Sequence, residues 1–168
     1  MAKKHLAAVL FAFVALASAC GGSGSKAVVP SSTTSTTLAI DFAKQYLDVE
    51  ASFRERAAAA NAALQVALGG GNVPNIIEAL HVAGSVNWEF ATALLAQKWP
   101  DDLRPSIQKQ AKLLGDFSEW QRIATESDWT SMLVPMQHLG VEVSDATQAT
   151  RELLGLPPSE SPGDVLNA

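Results

Sequence analysis

Cysteine, tyrosine and histidine are scarce in this 168-residue chain, at one, one and three residues, and each scarcity closes off a kind of chemistry. A single cysteine permits no disulfide within the chain and no thiolate metal cage, which needs several sulfur ligands. There is no His-Glu-x-x-His spacing, no serine elbow and no glycine-rich loop completed by a lysine. The "GGG" at Gly69 to Gly71 runs into "NVPN", so it is read as a turn. Between Leu38 and Leu154 no stretch of useful length alternates apolar and polar residues with a period of two, which excludes a sheet. Cations are few as well, 12 Lys and Arg against 17 Asp and Glu for a net charge of −5. That balance argues against a phosphate backbone or an anionic membrane surface as an electrostatic partner. The chain is expected to be non-catalytic, to carry no cofactor and to bind no nucleic acid.

The one cysteine stands at a telling place. Lys3 and Lys4 precede an entirely apolar run from Leu6 to Ala17, and small residues lead up to Cys20. This is the layout of an export signal, and a dozen apolar residues are too few to span a hydrocarbon core of about 30 Å. The stretch "LASAC" resembles the lipobox of bacterial lipoproteins, with Ala17, Ser18 and Ala19 before Cys20 and with Leu16 one place earlier than is usual. The resemblance implies that residues 1–19 are a signal peptide, that Cys20 becomes diacylglyceryl-modified, and that the mature protein is anchored to the outer face of the cell membrane. Each buried methylene adds about 0.8 kcal/mol, so two or three acyl chains hold where one does not. Removal of Lys3 and Lys4 with the signal takes the net charge from −5 to −7. A secreted protein with an ordinary Cys20 is the competing reading.

From residue 20 to residue 37 Gly, Ser and Thr dominate without apolar periodicity, as expected of a flexible linker holding the domain roughly 20 to 25 Å from its anchor. The helical domain is expected over residues 38–155, with an irregular proline-containing tail over 156–168. Four amphipathic segments fill the domain. The first, Leu38 to Leu68, places Phe42, Tyr46, Val49, Phe53, Ala57, Ala60, Leu64 and Ala67 on one stripe, with Lys44, Asp48, Glu50, Arg54 and Glu55 on wet faces. The second starts at "NVPN", with Pro74 near its first position, and continues to about Lys98. The third follows "WPDDLRP", Asp101 and Asp102 suiting its N-terminus. The fourth is capped by "TESD" and runs from Trp129 to Leu153. Pro135 and Gly140 lie inside this fourth segment and are expected to kink or divide it, and Gly155 followed by Pro157 ends it. Short connections between such segments favour an all-α, up-down-up-down antiparallel four-helix bundle, with a looser helical array as the alternative.

Within such a bundle three kinds of site are conceivable. Gly84 and Gly140 would leave room between helices for a lipid or another apolar molecule, with Trp88 and Trp120 as lining. Exposed aromatic or acidic faces would instead serve a structural or protein-interaction role, Trp99 and Trp129 fastening loops. His81 and His138 fall at similar depth on the parallel second and fourth helices, where facing imidazoles would ligate haem or a divalent metal with Met132 or Met136 nearby. Against the last, the methionines fit core spacing, and His138, two residues after Met136, points to another face.

The ending "RELLGLPP", with Arg151, Leu154, Gly155, Leu156, Pro157 and Pro158, together with Trp99–Pro100, the spacer and the lipobox, resembles uncharacterised small lipoproteins of actinobacteria. The resemblance implies a cell-surface location and brings no activity. The expected role is therefore binding of an apolar molecule or lipid in the envelope, or, alternatively, of an envelope protein.

Overall fold

The computed structural model describes residues 33–159, with side chains from residue 41 onward. The signal segment, Cys20, most of the expected linker and the last nine residues lie outside the described residues. Among the described residues four helices follow one another: α1 (Thr33–Gly70), α2 (Val73–Ala96), α3 (Arg104–Ile123) and α4 (Trp129–Leu153). Among the described residues there is no strand, and no helix is long and apolar enough to cross a membrane.

α1 begins five residues before the expected start, so Thr33 to Thr37 belong to a helix where a linker was expected. Once the apolar turns from Leu38 onward have formed a helix, each added residue contributes a backbone bond, and the propensity cost of Ser or Thr is below about 0.7 kcal/mol. At the other end only the third glycine stops the helix. Gly71 has φ 66° and its N–H donates to the Ala67 carbonyl at 3.1 Å, the left-handed termination glycine allows. α2 restarts at once, the Asn72 side chain accepting from the Asn75 N–H at 3.1 Å with Pro74 in the first turn.

Two helix starts differ from expectation. Asp101 and Asp102 stand three and two residues before α3, in the turn that leads into it, and Asp101 is ion-paired with Arg104 at 2.7 Å. Asp128 occupies the cap position of α4, but its carboxylate accepts from the Thr125 N–H behind it at 2.8 Å and closes the loop. α4 itself is one helix through Pro135 and Gly140, so it is not divided. Pro135 falls in the second turn and costs it a single bond, the one to the Ser131 carbonyl, while packing on both sides holds the helix together.

Side-chain contacts give the register. α1 and α2 are antiparallel through Gln45–Gln97 and Arg56–Glu89. α2 and α3 are antiparallel through Asn87–Gln121 and His81–Ala124. α3 and α4 are joined by Gln110–Thr147 and Ser106–Thr150, and Arg151 of α4 returns to Glu50 of α1. The bundle is therefore up-down-up-down. Its core runs from Tyr46, Phe90, Leu94 and Ile107 at one end to Leu64, Ile76, Trp129 and Met136 at the other. Buried Trp99 fastens the α2–α3 connection, its indole N–H donating to the Leu94 carbonyl at 2.7 Å.

Candidate functional site

Gly84 leaves no room for a ligand. A Cβ placed there would lie 2.8 Å from Arg122 Cγ, 2.9 Å from the Ser118 carbonyl and 3.0 Å from Gln121 Cβ. The glycine lets α3 lie directly on α2, and the Ser118 hydroxyl donates to the Gly84 carbonyl at 2.6 Å. This corrects the expectation that Gly84 opens the core to an apolar molecule: the space its missing side chain creates is filled by the neighbouring helix. Gly140 is buried on α4. Trp88 is 49% exposed, with Arg122 stacked over its ring at 5.6 Å, and Trp120 is half-buried against the core.

The histidines are likewise outside the core. His81 is exposed, and its Nε2 is 2.9 Å from the Ala124 carbonyl, which ties α2 to the end of α3. His138 is exposed on α4. Among the described residues no group of three or more His, Cys, Asp or Glu is placed to hold a metal ion.

Two features escape a reading by periodicity. The first is a buried polar seam joining α1, α3 and α4. Arg151 Nη1 donates to both oxygens of Glu50, at 2.9 and 2.7 Å, and Arg151 Nε donates to the Pro157 carbonyl at 2.9 Å. Both side chains are almost fully buried, at 3% and 5% exposure, so Glu50 is not on a wet face as expected. It stands one turn after Tyr46, and that spacing was the available signal. Gln110 Nε2 donates to the Tyr46 hydroxyl at 2.9 Å and to Thr147 at 3.0 Å. Burial first, then the Glu50 carboxylate beside it, pushes the Tyr46 phenol well above its ordinary range.

The tail explains why the arginine stays in place. Gly155 has φ 66°, its N–H donates to Glu152, and the Leu156 N–H reaches back to the Arg151 carbonyl at 2.9 Å. This double closure is a Schellman motif, with Leu156 packed on the core. "RELLGLPP" thus orients its own arginine at the end of α4.

The second feature is an apolar groove on the outer face of α1 and α2. It comprises two adjoining hollows of about 500 and 590 Å³ that share Ala63 and Val82 and are open to solvent. Buried Ala60, Ala67, Ala79 and Val86 form the floor, exposed Ala59 and Ala62 the α1 side, and Val66, 76% exposed, stands with Val82 at the rim. Arg56 closes one end, held by Glu89 at 2.7 Å, and Glu78 marks the other. The alanine run "AAAANAAL" supplies small residues on every face of α1, so the outer face is as smooth as the buried one.

Fold and site together define a four-helix bundle with an outward apolar groove at one end and a polar seam at the other. The chain matches no protein-family model, no curated protein and no solved structure, which leaves its own geometry as the ground for a functional reading.

Proposed function

We propose that the protein is a lipid-anchored, extracytoplasmic, non-catalytic interaction module that takes a helix of an envelope protein into the α1/α2 groove. One observation carries this reading: Val66 and Val82 stand exposed over a floor of buried alanines and Val86. From Arg56 to Gly70 the groove runs about 21 Å at 1.5 Å per residue, about four helical turns. The floor has no charge, so the fitting partner is an amphipathic helix with apolar residues at steps of three and four and a cation placed to meet Glu78. Position agrees with display. Ala63 lies about 45 Å along α1 from Thr33, so an anchor on Cys20 leaves the groove at the end of the bundle remote from the membrane. An apolar molecule within the core is the weaker reading, because α3 fills the gap at Gly84.

A photo-crosslinking amino acid at Val66 or Val82 of the full chain in cells tests the groove, with Glu142 on α4 as the control position. A discrete envelope-protein adduct is expected from the two groove positions, absent from the control and abolished by Ala63→Arg in a chain that still folds. Equal labelling at all three positions would overturn the docking reading, and an extra small mass in a native mass spectrum would favour the apolar ligand. Cys20→Ala should release the protein from membranes; retention would sink the anchor.

A further inference from the structure

α4 is attached by two unlike halves. The first buries Trp129, Met132 and Met136 against the core. The second buries only the smaller Val143 and Ala146 and the terminal Leu154, and between them turns Thr147, Thr150 and Arg151 inward, onto Gln110, Ser106 and Glu50. Apolar burial holds only when water is excluded, whereas hydroxyls, an amide and an ion pair are all well solvated once exposed. The closed seam also leaves a debt, since the buried Gln110 Oε1 has no hydrogen-bond partner among the described residues. Opening would hydrate that oxygen.

Between the halves the helix is weak. Pro135 deprives the Ser131 carbonyl of its bond, and Gly140 is a poor helix former. The tail moves with the second half, because its hydrogen bonds run back to α4 itself, from Leu156 N–H to Arg151 and from Arg151 to the Pro157 carbonyl, and the contact of Leu156 with the core parts when the unit opens.

We infer that the second half of α4, from Val141 to Leu154 together with the tail to Ser159, opens as a unit on a hinge at Pro135 to Gly140, while α1, α2 and α3 stay folded. The motion uncovers Tyr46 and Glu50 between α1 and α3. It is a subglobal unfolding unit of the kind that supplies movable elements in otherwise stable domains.

Native-state hydrogen exchange of the full chain, followed by mass spectrometry, tests it, with nitration of the one tyrosine by tetranitromethane as a second readout. Amides from Asp145 to Leu153 are expected to exchange at least tenfold faster than those of Leu80–Leu94 and Ile107–Gln121. Tyr46 should be nitrated at a rate that follows the α4 amides. Exchange of α4 indistinguishable from α2 and α3 would overturn the inference, as would nitration that proceeds only at the rate of global unfolding. Replacing the ion pair by Glu50→Met with Arg151→Leu should slow α4 exchange several-fold by making the seam apolar; unchanged or faster exchange in the folded variant counts against the inference. The comparison within the unaltered protein decides the matter even where the variant fails to fold.

Discussion

Two glycines on facing helices should respond to the same substitution with opposite signs. In a helix interior Ala is favoured over Gly by about 1 kcal/mol. At Gly115 an added Cβ meets only Trp88 Cζ3, at 3.7 Å, an ordinary contact, so Gly115→Ala should stabilise the domain by about 0.5 to 1 kcal/mol. At Gly84 the same methyl meets three atoms at 3.0 Å or closer, and one of them, the Ser118 carbonyl oxygen, is backbone. Arg122 can swing aside, but the carbonyl moves only if α3 does. Overpacking of this kind costs about 1 to 3 kcal/mol. Separating the helices also stretches the 2.6 Å bond from Ser118 to Gly84, for about 1 kcal/mol more. Set against the propensity gain, Gly84→Ala should lose about 1 to 3 kcal/mol. Urea unfolding followed by tryptophan fluorescence measures both variants. A stabilised Gly84→Ala would refute the account and revive a ligand-sized space between α2 and α3.

The ion pair should show strong coupling: Arg151→Leu alone strands a buried carboxylate and should cost about 3 to 5 kcal/mol, while the double replacement Glu50→Met with Arg151→Leu should recover most of that loss. Additive losses in the denaturation cycle would mean that the two side chains do not share a buried bond. Tyr46 makes an alkaline titration simple to follow, because it is the only tyrosine. Its phenol is held above the ordinary value, first by burial and then by Glu50, so the folded state keeps its proton longer. Stability should be level below about pH 10 and fall as the pH rises past that point. A phenolate spectrum at ordinary alkaline pH in a chain with unchanged circular dichroism would contradict this. Gly155→Ala forces a Cβ into the left-handed region and should cost about 1 to 2 kcal/mol, whereas Gly70→Ala, in helical conformation with nothing within 4 Å, should gain. Equal effects at the two sites in urea unfolding would dispose of the Schellman closure.

Helix number, order and stops were legible in the sequence because their causes are local. The glycine at 71, the proline at 74 and the pair Gly155–Pro157 act on backbone torsions and on bonds within one turn, which need no knowledge of any partner. The apolar stripe of α1 was legible for the same reason, Tyr46, Val49, Ala57, Ala60, Leu64 and Ala67 all being buried. The start of α1 and the cap of α4 were less so, since Thr33 to Thr37 and Asp128 have several local states of similar energy.

The candidate sites belong to the other level. By itself the sequence determined an all-α chain of four amphipathic helices in a fixed order, because periodicity and turn chemistry are properties of neighbouring residues. Only the tertiary structure decided what each face meets. Glu50 is buried because Arg151, far along the chain, arrives beside it; Gly84 is filled because α3 crosses there; Val66 and Val82 line a groove because nothing described lies over them. These outcomes depend on the rotation and spacing of whole helices, set by the sum of core contacts and by no residue alone.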